Sequence, residues 1–118
     1  MRKGFLVPEE GSFAVILTLN PLAEGGRQRA IASGYRANCW IGNVSANGVR
    51  SYNDGHFYLE TLTSLEPGST AVARLVPAIM SSWVDVEVGQ TIDVCEGLRI
   101  VGTAVISGVP GPLGSDLW

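Results

Sequence analysis

The stretch EGGRQRAIASGYRANCW, Glu24 to Trp40, decides how the chain reads. It opens with two glycines and an arginine, Gly25-Gly26-Arg27, returns to a Gly-X-Arg turn at Gly34-Tyr35-Arg36, and then alternates polar with apolar residues. Successive side chains of a strand point to opposite faces. Tyr35, Ala37, Cys39 and Ile41 therefore share one face of a strand over residues 35–44, while Arg36, Asn38, Trp40 and Gly42 share the other. The first set is apolar and forms the expected core face.

The same grammar extends in both directions. Phe13-Ala14-Val15-Ile16-Leu17 lies in a strand over residues 12–19, which Asn20-Pro21 closes because proline cannot donate to a sheet ladder. Asn47-Gly48 marks a hairpin turn into a short strand over residues 49–52, and Asn53-Asp54-Gly55 marks another turn before a strand over residues 57–62. Glu66-Pro67-Gly68-Ser69 leads into residues 70–76, where Ala71, Ala73 and Leu75 alternate with Val72 and Arg74. Further strands are expected over 83–88, 91–95 and 98–106, the last two joined through Glu96-Gly97. No segment has the periodicity of a long helix. Six to eight short strands in one chain of 118 residues imply an all-β domain, either a sandwich or a closed antiparallel barrel, both of which remove or shield sheet edges, with the barrel preferred. The barrel is expected over residues 12–106, between an extension (1–11) and a Gly/Pro-rich tail (107–118).

Composition excludes several classes of function. A net charge of -3 and a pI near 5.0 argue against bulk attraction to nucleic acid, which needs a basic surplus. Seven of the eight basic residues are nevertheless arginines, which favours directional contacts. No apolar run is long enough to span a bilayer, and residues 1–10 break into Pro8-Glu9-Glu10 too early for a secretory leader, so a cytoplasmic protein with no membrane partner is expected. Cys39 and Cys95 match no zinc-site spacing and are expected as buried thiols, with a single bridge as the alternative. Neither metal nor cofactor is expected. No P-loop, nucleophile elbow or metalloprotease motif is present, and the single histidine, His56, falls in an expected surface turn. Asp85, Glu87 and Asp93 alternate as a solvent face would. An enzyme is not expected.

Glu24-Gly25-Gly26-Arg27 followed at fixed spacing by Gly34-Tyr35-Arg36 resembles the third, C-terminal β-barrel domain of bacterial elongation factor Tu. The likeness runs on to Gly48 and recurs at Pro67-Gly68, at Pro77 to Met80 and at Glu96-Gly97-Leu98-Arg99-Ile100-Val101-Gly102. It implies a six-stranded antiparallel barrel. In that family the domain packs on a GTPase domain, meets the nucleotide-exchange factor and touches the T stem of aminoacyl-tRNA. Carried over by position, the resemblance implies RNA- or partner-binding roles for Arg27, Gln28, Arg36, Asn38, Asn47, Glu96 and Arg99. Gln28 replaces the family's histidine, Arg29-Ala30-Ile31 replace its loop prolines, and Ala37 replaces another proline. The sequence lacks a GTPase domain, so no GTP chemistry is expected and any binding of tRNA is expected to be weak.

Two readings follow. One is a non-catalytic, translation-related module that touches tRNA or a protein of the translation machinery, for which Arg27, Arg29, Arg36, Arg50 and Arg99 would have to gather on one face. The other is a protein-interaction or immunity-like domain that mimics the elongation-factor barrel, anchored by exposed aromatics such as Trp40 and Trp83, with Trp118 in the tail.

Overall fold

Inward-facing Phe13, Val15, Leu17 and Leu19 commit the first strand, β1 (Ser12–Leu19), to a core, because burying each such side chain is worth roughly 1.5–3 kcal/mol. In the computed structural model, which describes residues 11–111, seven more strands follow: β2 (Ile31–Ala32), β3 (Tyr35–Trp40), β4 (Asn53–Leu59), β5 (Ser64–Leu65), β6 (Thr70–Pro77), β7 (Thr91–Glu96) and β8 (Arg99–Gly111). Six of them close into one antiparallel barrel in the order β1-β6-β4-β3-β7-β8, with β8 returning to β1. The all-β, six-stranded antiparallel barrel expected from the sequence is therefore present. No helix among the described residues is long and apolar enough to cross a membrane.

The register sets large side chains against small ones inside a narrow barrel. Val15 lies opposite Ala73, Leu17 opposite Ala104 and Leu19 opposite Gly102, while the small Ala37 and Gly55 lie opposite each other beneath Leu75 and Trp83. This complementarity lets Phe13, Phe57, Leu75, Ile92 and Val94 fill the interior. Each end is then plugged. At one end Trp83 packs on Phe13, with ring centroids 5.7 Å apart, and covers Gly55. At the other, Ile31 and Leu65 pair as the two-stranded sheet of β2 and β5, and both join the core. Cys39 and Cys95 are free and buried.

Several sequence expectations give way to tertiary packing. Asn53-Asp54-Gly55 is not a turn but the start of β4, since a Cβ at position 55 would lie 2.6 Å from Leu75 Cδ1. The missing side chain there serves close packing rather than chain reversal. His56 accordingly sits half-buried within β4, opposite Arg36 and Val76, and not in a surface turn. The strand expected over 35–44 ends at Trp40, and that over 49–52 is reduced to one bridge between Val44 and Arg50. Residues 83–88 form no strand; a 3-10 turn over Met80–Ser82 delivers Trp83 into the barrel mouth. Trp83 is only 5% exposed, which removes it as an exposed interaction anchor. Pairing of β8 continues to Gly111, past the barrel boundary expected at Ile106, while Trp118 lies outside the described residues.

A buried plug and an exposed anchor give different stabilities on truncation. Trp83→Ala is expected to cost about 3–5 kcal/mol in urea denaturation, as deletion of a buried aromatic does. A surface anchor would cost within about 0.5 kcal/mol, and that result would return Trp83 to the surface.

Candidate functional site

The loop that opens the quoted stretch is shaped by two glycines with different tasks. After a 3-10 turn over Leu22–Glu24, Gly25 adopts a left-handed φ of 84°, which a side chain would disfavour. Gly26 is needed for close approach, because a Cβ there would lie 2.0 Å from the Asn20 carbonyl oxygen. Its amide donates to the Pro21 carbonyl at 2.9 Å. With the loop pinned at this end and anchored at the other by buried Ile31, Arg27, Gln28 and Arg29 are held over the mouth of the barrel.

Glu96, the last residue of β7, gathers this mouth into one cluster. Its Oε2 forms an ion pair with Arg27 Nη1 and accepts a hydrogen bond from the Tyr35 hydroxyl at 2.6 Å. Arg27 also donates from Nε to the Arg29 carbonyl at 3.1 Å and lies 5.1 Å from the Tyr35 ring centroid. Arg99, opposite Glu96 in the ladder, places Nη2 3.8 Å from Oε1. That distance is an ion pair but not a hydrogen bond.

Protonation follows from these contacts. Desolvation by itself would raise the Glu96 pKa, but the hydrogen bonds from Tyr35 and Arg27 and the charges of Arg27 and Arg99 outweigh it, so the carboxyl titrates below the usual glutamate value. Burial, reinforced by the Glu96 carboxylate, pushes the Tyr35 phenol upward, so it stays a donor at ordinary pH. Burial likewise raises both thiols, Cys39 and Cys95.

Two shallow depressions meet at Glu96. Arg27, Gln28, Arg29, Glu96 and Arg99 line one; Arg36, Ala37, Asn38, Cys95, Glu96 and Gly97 line the other. Arg36 pairs with Asp54, and Asn38 donates from Nδ2 to the Gly97 carbonyl at 3.4 Å. Of the sequence-expected site residues, Arg27, Gln28, Arg36, Asn38, Glu96 and Arg99 thus form one continuous surface.

Asn47 and Trp40 do not join it. Asn47 is exposed in the loop beyond β3, at the opposite end of a strand roughly 17 Å long. Trp40 is half-buried, donates from its indole to the Asn43 carbonyl at 2.8 Å, and is covered by Arg50, whose guanidinium carbon lies 3.8 Å from the ring centroid. Arg50 is also 3.8 Å from Asp93. The expected five-arginine face is therefore three arginines around Glu96, with Arg36 beside them and Arg50 at the far end.

Pairing has also consumed most of the positive charge. Among the described residues Arg27, Arg36, Arg50, Arg74 and Arg99 each have a carboxylate partner, and Arg29 alone of the arginines has none. Arg74 is the extreme case: 2% exposed, with Nε 3.0 Å from Glu60. Sequence reasoning missed Arg74, and it missed the Tyr35 hydroxyl, whose only signal was a polar-tipped residue at the strand's first position. No group of His, Cys, Asp and Glu among the described residues could hold a metal ion. No protein-family model matches the chain, and no curated protein matches it in sequence.

A carboxylate whose folded pKa is depressed adds stability that is present above its unfolded pKa and is lost as pH falls through the folded value. Glu96→Gln should accordingly destabilise the protein near pH 7, and the gap to wild type should narrow as the pH falls below the usual glutamate value. Urea midpoints measured for both proteins across that range check this; a gap that is constant with pH would mean that the Glu96 charge does not hold the cluster.

Proposed function

We propose that this barrel is a non-catalytic, translation-related binding module that docks on structured RNA, such as a tRNA stem, through the surface around Glu96. The observation that carries the reading is convergence: Arg27, Gln28, Arg36, Asn38, Glu96 and Arg99, separated by up to 72 positions in sequence, meet on one barrel end. They are six of the seven positions at which the resemblance to the third domain of elongation factor Tu implies RNA or partner contact, Asn47 being the seventh. Arginine and amide side chains suit phosphates and the 2′-hydroxyls of a shallow A-form minor groove, and an acidic residue can accept from a ribose hydroxyl.

The second reading, a protein-interaction domain anchored by aromatics, finds less support in Trp40 and Trp83, while Trp118 lies outside the described residues. Trp83 belongs to the core and Trp40 lies under Arg50. RNA is favoured for that reason.

The affinity is modest. Three or four exposed polar contacts at roughly 0.5–1.5 kcal/mol each leave little after the cost of association. Filter-binding of a tRNA at about 50 and 200 mM salt is expected to give micromolar or weaker affinity that falls roughly 10- to 40-fold between the two, the signature of two to three phosphate contacts. Salt-independent binding, or none at all at low salt, would sink the proposal.

A further inference from the structure

Resting on that reading, we infer that Arg29 and Arg99, with Gln28 beside them, form the phosphate grip of the barrel, and that Arg27 is a positioning residue which does not bind RNA. The three arginines line the same depression but differ in what holds them. Arg27 is engaged on three sides, by the Glu96 carboxylate, the Arg29 carbonyl and the Tyr35 ring, and its side chain is 23% exposed. Turning it toward a ligand would break a charge-assisted hydrogen bond and leave the part-buried Glu96 carboxylate with only the Tyr35 hydroxyl and the more distant Arg99.

Arg99 is held differently. It is 58% exposed, its closest approach to Glu96 is 3.8 Å, and the carboxylate remains satisfied through Oε2 by Arg27 and Tyr35 when Arg99 swings out. Arg29 is exposed and has no carboxylate partner among the described residues, so a phosphate there breaks no ion pair among them. Gln28, also exposed, adds a neutral amide donor to the same depression. Glu96 acts by neutralising Arg27, with which it forms an ion pair.

The backbone makes the grip rigid. The Arg29 carbonyl is tied to Arg27 Nε, and buried Ile31 fixes the chain two residues on. Arg99 issues from the tight turn between β7 and β8, opposite Glu96. Both guanidinium stems are thus set by the fold, and only their flexible ends have to order on binding.

The test uses the full chain and a blunt-ended 16-base-pair RNA duplex, titrated at a series of salt concentrations alongside thermal denaturation. Arg29→Gln and Arg99→Gln should each weaken binding about tenfold at about 50 mM salt and reduce the salt slope by about 1, with the melting temperature unchanged. Arg27→Gln should lower the melting temperature while leaving the salt slope at the wild-type value. A wild-type protein that binds, with Arg27→Gln reducing the slope and Arg29→Gln and Arg99→Gln leaving it intact, would overturn this assignment while keeping the RNA reading. A wild-type protein that does not bind the duplex overturns both. Arg27→Lys, which retains charge but loses the forked contact to Glu96 and the Arg29 carbonyl, should melt early and keep the full slope; a normal melting temperature would count against the positioning role.

Discussion

Closure of the sheet through β1 is the constraint on which the rest of the molecule rests. β1 pairs along its length with β6 on one side and β8 on the other, so the ring has no edge strand and its ladder groups are satisfied internally. A ring of only six strands encloses little space, and the inward residues must then alternate in size. The Leu17–Ala104 and Leu19–Gly102 pairs follow from that geometry, as does the absence of a side chain at Gly55. The same closure leaves two open mouths, each needing a plug. Trp83 serves one, and the Ile31–Leu65 pair serves the other.

The choice of plugs determines where the barrel can carry function. At the Trp83 mouth the closing side chain comes from a loop whose exposed residues include Ile79, Val84, Asp85 and Glu87, with no arginine among them. At the other mouth the plug Ile31 is part of the arginine loop itself, so burying Ile31 places Arg27, Gln28 and Arg29 on the rim. Glu96 then organises that rim. One carboxylate among three arginines leaves a local surplus of two positive charges in a chain whose total is negative, and within a Debye length of about 8 Å a phosphate responds to the surplus rather than to the total. An acidic protein can in this way present a small basic grip without general affinity for polyanions.

The sequence made the barrel legible because period-two alternation in residues 12–19, 35–41 and 70–76 is a local property that survives folding. It failed where the decisive partner is distant in the chain. Gly55 reads as a turn residue in its Asn-Asp-Gly context, and only the proximity of Leu75 and Trp83 explains it as packing. Val86 and Val88 alternate with acidic residues as a strand would, yet the chain needs residues 80–83 to reach into the mouth and has no ladder position left for a further strand. The site was legible in the same partial way. Arg27 and Glu96 could be named from turn motifs 69 positions apart, but Tyr35 looked like a core residue because its ring is one; the hydroxyl that holds Glu96 projects beyond the core at the strand's end. Asn47 and Trp40 share the motif-bearing stretch or its continuation, yet strand length carries them to the other mouth.

Because the loop from Gly25 to Ile31 both seals the barrel and displays the proposed grip, the proposal implies that stability and binding are coupled through it. Loosening Ile31 would free the arginines to move and raise the entropy lost on binding, whereas a ligand that bridges Arg29 and Arg99 ties the loop to the β7–β8 turn and resists opening of that mouth. At a free ligand concentration of about 100 times Kd, such linkage is worth about 2.7 kcal/mol, comparable to the burial of a large core side chain. On the proposed reading the mouth that carries Glu96 gains cohesion from its ligand, whereas Trp83 closes the other mouth by packing on Phe13.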